Sequence, residues 1–326
     1  MKKNIALIGC GYWGKNLVRN FSELGVLVCV CDSDAALAES IASQYKVDNV
    51  SFDEVVSNSD IEGVVLAVPA PLHAPLAIQA LEEGKHVYVE KPLAMNQVEA
   101  QQMIDASNTS GQHLMVGHLL QYHPIFVTLR KLVEAGELGK LNYIYSNRLS
   151  FGKIRSEEDV IWSFAPHDLS MILSLTRREP RLVRTESTNI LQKDLADSAI
   201  VHMEFKDGLK AHIAVSWLHP YKEQKLVVIG EEAMAVFDDT LPWDNKLGLY
   251  KHQIDVSKEV LIPKKAEVEY FDIPQAEPLK LECKYFVDLI EGIVPPLTDG
   301  EEGLRVLKVL TAASLSQSKN CEVSVG

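Results

Sequence analysis

The sequence predicts an α/β protein built from a doubly wound parallel sheet followed by an α+β domain with a large, mostly antiparallel open sheet. Three observations carry this. Short β-branched strands alternate with helical segments through the first third of the chain, a glycine-rich turn joins the first strand to the first helix, and beyond Gly136 apolar residues alternate instead of running on. In order, NIALIG reads as a strand, Lys15 to Leu24 as a helix closed by Gly25, VLVCVC as a strand and Ala35 to Tyr45 as a helix. GVVLAV, the helix Ala74 to Glu83 ended by Gly84, HVYVE, the helix Gln97 to Ser107 and HLMVG complete the alternation. Continuous apolar strands separated by helices are buried on both faces, as in βαβ units. A Rossmann domain that binds a nucleotide is expected over residues 1–120.

Residues 121–326 are expected to form the second domain. LNYIYSNRLSF, RLVRTESTNIL, DSAIVHMEFKDG, LKAHIAVSWLH, KLVVIGEE and AMAVFDD read as successive strands with KDG and GEE as turns. Their alternation suits a sheet with one covered face. The expected cover is the helix Ala165 to Leu175 with two late helices, Leu279 to Ile290 and Gly303 to Ser316. The other face would be wet unless another subunit packs on it, so a homo-oligomer, dimer or tetramer, is expected.

Composition narrows the function. At 326 residues the chain has about twice the ~150-residue domain prior. Its 47 % hydrophobic and 24 % charged residues are ordinary for a folded chain. With 32 Lys and Arg against 45 Asp and Glu the net charge is −13, which disfavours nucleic acid and anionic membranes as partners. MKKNIALIGC imitates a lipoprotein signal, but Ile5 to Ile8 is far shorter than the ~7–15 residues of a secretory apolar region. No run approaches the ~18 apolar residues of a membrane span. Five cysteines cannot all pair and form no CxxC, and Cys29 and Cys31 read as buried strand residues. The ten histidines include no HExxH, so no metal is expected. The ordinary composition gives the expectation of a cytoplasmic location.

The turn after the first strand reads GCGYWG. Gly9, Gly11 and Gly14 satisfy GxGxxG between a strand and a helix, the context in which that pattern binds a dinucleotide. Gly9 permits the tight turn, Gly11 the approach of a pyrophosphate, and Gly14 close helix–strand packing, while the helix N-terminus offers oriented N–H groups. Asp32 lies 18 residues beyond Gly14 at the end of the second strand, where an acidic residue bonds the adenosine ribose. Ser33 and Asp34 follow with no Arg or Lys, so NAD is preferred over NADP. A degenerate domain or one for S-adenosylmethionine is the alternative. Tyr12 and Trp13 flank the cofactor loop.

HVYVEKPLA places Glu90, Lys91 and Pro92 at the carboxyl end of a later strand, where a lysine points into the cofactor crevice. Here the sequence resembles the Gfo/Idh/MocA oxidoreductases. EKP after a GKHV strand, with GxGxxG at the amino end, is that family's signature. AVPAPLHAPLA is similar to its TPNxxHxxxA segment near the cofactor, with Pro69 and His73 retained and Val68 and Ala70 departing from it. VGHLLQYHP looks like the segment joining the two domains, and the run from Glu277 to Ala313 resembles the final helices. The family's second motif carries an Asp four residues before a His; WSFAPHD keeps His167 but has Ser163 at the Asp position. Any assisting carboxylate would then be Asp168 or Asp159, or the role falls to substrate groups.

The resemblance implies oxidation of a secondary alcohol, with His167 as general base and Lys91 stabilising the alkoxide and relaying the proton, or these roles exchanged. It implies a restrained Lys91–Pro92 bond, an X-Pro bond to which the cis form is open. Glu90 reads as a structural neighbour of the cofactor. A histidine that merely caps the helix near Ala165 is the bland alternative for His167, and a surface lysine the one for Lys91. SNRLSFGKIRSEEDVIWSFAPHDLSMILSL resembles, within the family, dehydrogenases of bacterial cell-surface polysaccharide and lipid A sugar pathways that oxidise C3 of UDP-N-acetylglucosamine or its uronic acid. That implies a nucleotide-sugar substrate near Lys91, Arg148, Trp162, His167 and Asp168, with Lys153 and Arg155 nearby or on a solvated edge, and an aminotransferase acting on the keto product. The alternatives are a dehydrogenase of free sugars or inositol and a non-catalytic NAD(H)-sensing regulator.

Overall fold

The computed structural model describes residues 4–255 and 260–325. The chain divides into two compact units, one ending at Tyr122 and taking back Ala276–Leu307, the other holding His123–Gln275 and the residues from Lys308 onward. Up to the division run β1 (Ile5–Ile8), α1 (Gly14–Glu23), β2 (Leu27–Cys31), α2 (Ala35–Tyr45), β3 (Asp48–Asn49), α3 (Phe52–Ser57), β4 (Gly63–Leu66), α4 (His73–Glu82), β5 (His86–Glu90), α5 (Gln97–Ser110) and β6 (Leu114–Gly117). Then come α6 (Pro124–Glu134), β7 (Leu141–Phe151), α7 (Val160–Thr176), β8 (Leu182–Thr188), β9 (Ser198–Glu204), β10 (Lys210–Ser216), β11 (Leu218–Gly230), β12 (Met234–Asp238) and β13 (Leu247–Tyr250). The last elements are β14 (Gln253–Asp255), β15 (Ile262–Lys264), β16 (Val268–Tyr270), α8 (Pro278–Ile290), α9 (Gly300–Lys319) and β17 (Val323–Ser324).

In the first unit six parallel strands lie in the order β3-β2-β1-β4-β5-β6. β1, β4 and β6 are buried at every residue, as strands covered by helices on both faces must be. Local signals start the helices. Asp34 accepts the Ala36 and Leu37 amides at 3.0 Å to cap α2, and Asn96 accepts from Glu99 to cap α5. α3, which its length of six residues hides from a periodicity search, begins with a capping box in which Ser51 and Glu54 bond each other's backbone amides. The order reverses between β1 and β4, so the loops after β1, β2, β4 and β5 gather at one edge, the place where such sheets bind ligands.

The first unit does not end where its strands do. α8 buries Leu279, Cys283, Phe286 and Val287, one stripe at helical spacing, in the core that holds Phe21 and Tyr88. The Phe286 ring lies edge-on to Phe21 and Tyr88, with centroids 6.4 and 5.8 Å away. A Cβ on Gly63 would lie 2.7 Å from Ile290 Cδ1, so β4 leaves room for this helix. This corrects two expectations, that the second domain runs unbroken over 121–326 and that Leu279 to Ile290 covers its sheet. An apolar stripe in sequence states that a helix is half-buried but not against which sheet.

The second unit is a nine-stranded sheet in the order β16-β13-β12-β11-β7-β10-β9-β8-β17 among the described residues. β7 sits at its centre, antiparallel to β11 and parallel to β10, and the remaining pairs are antiparallel. Ile144, Val201, Ile213 and Val228 are buried on one face, against which α7 packs. Alternation puts Tyr143, Tyr145, His202 and His212 on the other face, where the Tyr145 and His212 rings stack at 5.4 Å. α7 starts at Val160, five residues before the expected Ala165, because Asp159 accepts the Ile161 and Trp162 amides at 3.0 and 3.1 Å.

One histidine makes the first unit sensitive to acid. His86, at the start of β5, stacks on His113 at 5.1 Å, and its Nδ1 accepts the His113 backbone amide at 2.9 Å. Burial, and then the neighbouring His113, push His86 down from 6.5 to about 4. Between those values the unfolded chain binds a proton that the folded chain refuses, so this stability is complete above about pH 6.5 and lost as the pH falls toward about 4. Urea unfolding at about pH 7 and about pH 5 should show a smaller acid loss for His86→Gln than for the unaltered protein, and equal losses would refute the assignment.

Candidate active site

The loop after β1 has the shape a pyrophosphate needs. Gly9 has φ +96°, and a Cβ there would meet the Ala67 carbonyl oxygen at 2.5 Å. A Cβ on Gly14 would lie 1.9 Å from the Gly9 carbonyl oxygen, so α1 can leave β1 at this distance only with glycine. At Gly11 the same Cβ would meet nothing within 4 Å, so the backbone lies open there. No side chain caps α1 and its first turn has no acidic residue, which leaves its positive end for an anion. Asp32, at the end of β2, accepts the Cys10 amide at 2.5 Å and the Asp34 amide at 2.9 Å. These bonds hold its carboxylate beside the loop, and a carboxylate has acceptor sites to spare for ribose hydroxyls. Ser33 is exposed next to it and Asp34 is the cap of α2, so no cation stands in this stretch. The residues fit NAD: Gly9, Gly11 and Gly14 for the pyrophosphate and Asp32 for the ribose.

Beyond β4, Pro69 opens a short 3-10 turn and is exposed. His73 is 1 % exposed, and its Nδ1 and Nε2 face the carbonyl oxygens of Pro92 and Val68 at 2.8 and 2.9 Å. The expectation that His73 contacts the cofactor is therefore corrected. Its ring is a staple between the loops that follow β4 and β5, with no surface left for a ligand. Burial pushes it below the ordinary histidine range. The stapled loop after β5 carries Lys91, and the Lys91–Pro92 bond is cis, as the resemblance implied.

Glu90 closes the network. Its Oε1 accepts the Trp13 indole N–H at 2.6 Å and the Tyr88 hydroxyl at 3.0 Å, and its Oε2 accepts the Lys91 amide at 3.3 Å. Trp13 is 38 % exposed, and Tyr12, at 84 %, projects from the loop. His118, at the end of β6, is buried with its Nδ1 2.5 Å from Glu302 Oε2 of α9. Nothing in the sequence around Glu302 marked it, because the pairing joins residues far apart in the chain.

In the second unit His167 lies inside α7, one turn after Ser163 and directly after Pro166. A helix interior excludes the reading of His167 as a cap. Proline has no N–H to donate, so the Trp162 carbonyl lacks its usual helical donor. Asp168 is 1 % exposed and faces the sheet. Arg148 of β7 grips it, Nε to Oδ2 at 2.6 Å and Nη2 to Oδ1 at 3.2 Å, and Ser146 donates to Oδ1 at 2.5 Å. With the Gln224 amide oxygen turned to Arg148 Nη1 at 3.2 Å, its NH2 donates to Asp239 at 3.2 Å. Asp239 also pairs with Lys246 and lies 3.5 Å from His123. Burial opposes its charge, yet the bonds from His123 and Lys246 hold it down at about 2.

These contacts correct a direct substrate role for Asp168, whose oxygens are already engaged, and change that of Arg148, whose charge is balanced within the unit. Asp159 is likewise occupied as a cap. Trp162 donates its indole N–H to Ser314 at 2.7 Å, and Arg155 lies 3.5 Å from Glu158. Lys153 stands in the exposed stretch after β7. Ser146 and Gln224 went unnoticed in sequence, since polar residues within alternating strands carry no signal of their partners. Among the described residues no group of three or more His, Cys, Asp or Glu is placed to hold a metal, and no helix is long and apolar enough to cross a membrane.

The fold and loop define an oxidoreductase with an NAD-binding Rossmann domain. Residues 3–118 match the model of the oxidoreductase family with NAD-binding Rossmann fold, and residues 126–236 match the Gfo/Idh/MocA C-terminal domain, so the chain belongs to the Gfo/Idh/MocA family. It is 27 % identical to the UDP-N-acetylglucosamine 3-dehydrogenase of Acidithiobacillus ferrooxidans over 92 % of this chain and 93 % of that one. A solved structure of that enzyme superposes with a TM-score of 0.85, at 25 % identity over 98 % of this chain and 99 % of that one. The inositol 2-dehydrogenase of Salmonella typhimurium is 24 % identical over 66 % of this chain and 67 % of its own. The WlbA dehydrogenase of Bordetella pertussis, solved with NADH and UDP-GlcNAcA, shares the fold at a TM-score of 0.81 and 20 % identity, covering 100 % of this chain and 99 % of that one.

Because a 2′-phosphate would meet the Asp32 carboxylate with no Lys or Arg at residues 33 and 34, calorimetric titration should give NAD an affinity about tenfold or more above that of NADP. Equal affinities would overturn the role of Asp32.

Proposed function

We propose that this protein oxidises the C3 hydroxyl of UDP-N-acetylglucosamine, or of its uronic acid, to a ketone. The observation that carries the reading is the similarity to UDP-N-acetylglucosamine 3-dehydrogenase along 92 % of the chain, through both family domains. NAD, when bound, supplies the hydride acceptor. His167 takes the hydroxyl proton as the carbon–hydrogen bond gives up its electron pair, and the Lys91 ammonium stabilises the alkoxide that forms. Imidazole suits the base, since its ordinary pKa lies near ~6.5. Ser163 in place of the family's Asp offers no charge to the imidazolium.

The Arg148–Asp168 pair favours a second reading. A guanidinium already balanced by a carboxylate suits a neutral hydroxylated ligand better than a diphosphate, as for a dehydrogenase of free sugars or inositol. Under the first reading the keto product fits an aminotransferase that would install an amine at C3. The open face bearing Tyr143, Tyr145, His202 and His212 supports assembly into a dimer or tetramer, and the five free cysteines fit a reducing cytoplasm.

Incubating the protein with NAD and a panel of UDP-sugars and free polyols, and following NADH absorbance, decides between the substrates. Lys91→Ala and His167→Ala should each lower turnover by about 10²–10⁴ while NAD affinity stays near the unaltered value. A variant that keeps more than about a tenth of the rate would remove that residue from the chemistry.

A further inference from the structure

Glu90 does more than neighbour the cofactor. Three groups from two places in the first unit converge on its carboxylate: the Trp13 indole of the glycine loop, the Tyr88 hydroxyl of its own strand, and the backbone amide of Lys91. The space it uses is kept clear. Glu90 pairs across the sheet with Gly117 of β6, and a Cβ on Gly117 would stand 2.7 Å from the Tyr88 hydroxyl and 3.1 Å from Glu90 Oε1. Any larger residue at 117 would displace the network. Behind it, Glu282 of α8 is 1 % exposed, and burial followed by the charge of Glu90 pushes its carboxyl well above the ordinary range.

Trp13 is the residue between Gly11 and Gly14 that can hold the loop from outside. Its backbone stands at the cap position of α1 without a side-chain cap bond, and its indole N–H reaches Glu90 at 2.6 Å. Neutral donors to a carboxylate form the stronger class of hydrogen bonds. The same carboxylate fixes the first atom of Lys91. We propose that Glu90 is a positioning residue that, through Trp13, locks the glycine loop in its pyrophosphate-binding shape and ties that loop to the backbone of Lys91. This rests on the assignment of the loop to NAD and is independent of which alcohol is oxidised.

The test is a cycle of Trp13→Phe, Glu90→Ala and the double variant, with Glu90→Gln beside them and circular dichroism confirming the fold of each. Calorimetric NADH titration should show Trp13→Phe and Glu90→Ala each weakened about tenfold, with the double variant no weaker than Glu90→Ala alone. Glu90→Gln, whose amide oxygen still accepts from the indole, should restore most of the affinity. Without cofactor, the Trp13 emission, isolated by subtracting the spectrum of Trp13→Phe, should be quenched more readily by acrylamide in Glu90→Ala than in the unaltered protein. Additive losses, a Glu90→Gln variant as weak as Glu90→Ala, or unchanged quenching would each overturn the proposal. Should Glu90→Ala fail to fold, Trp13→Phe, altered at a half-exposed ring, and Glu90→Gln still decide it. If the unaltered protein binds no NADH, the cofactor assignment fails, and the quenching experiment still judges the anchor.

Discussion

The distance between α1 and β1 sets the geometry of the first unit. The Gly9 carbonyl oxygen occupies the place where any side chain on residue 14 would begin, so the helix approaches the strand as no other residue allows. From that approach follow the other features of the loop. The helix presents its amino end at the carboxyl edge of the sheet, the Cys10 amide comes within reach of Asp32 on β2, and Trp13 comes within reach of Glu90 on β5. The neighbouring loop, after β5, is fixed separately by the His73 ring, whose two nitrogens face main-chain carbonyls on both sides and whose one N–H donates to one of them. Cofactor loop and lysine loop are thus each held by a polar contact, and Glu90 joins the two.

Much of this was legible in the sequence. Strand–helix alternation, the spacing of Gly9, Gly11, Gly14 and Asp32, and the EKP turn are local patterns, and local patterns survive in one dimension. β5 and β7 lie on the residues expected, and α2 spans Ala35–Tyr45 as read. What could not be read were matters of pairing. His73 has the sequence context of a cofactor contact, yet its ring is held by two carbonyls that lie before and after it in the chain. Arg148 and Asp168 look like substrate groups when seen apart and become an internal ion pair when the helix is laid on the sheet. The stripe of α8 predicts burial but not the partner. Ser146, Gln224 and Gly117 gain meaning only from neighbours across strands.

The second unit carries its charge differently from the first. Arg148, Asp168, Gln224, Asp239 and Lys246 form a linked set in which each charge faces an opposite one. Buried pairs of this kind add little net stability when intact, since desolvation offsets attraction, but losing one partner strands the other at a cost of about 3–5 kcal/mol. Such a set fixes geometry more than it adds stability. Asp168 follows His167 directly in α7, so the grip on Asp168 also sets the rotation of that helix about its own axis. The net charge of −13 is therefore no obstacle to an anionic ligand by itself, because what a ligand meets is the local set of donors.

The return of α8 to the first unit has a consequence for how the chain is made. Domains emerging from a ribosome commonly fold in the order in which they are synthesised. Here the strands of the cofactor sheet are complete by Gly117, but the Phe286 ring that packs on Phe21 and Tyr88 is translated only after the whole nine-stranded sheet except β17. The nascent first unit must wait with one side of its core uncovered, and truncation at Tyr122 would release a fragment with that apolar face open to solvent. The cofactor domain is therefore a single unit in space without being a single segment that can be cut out, fused or transplanted.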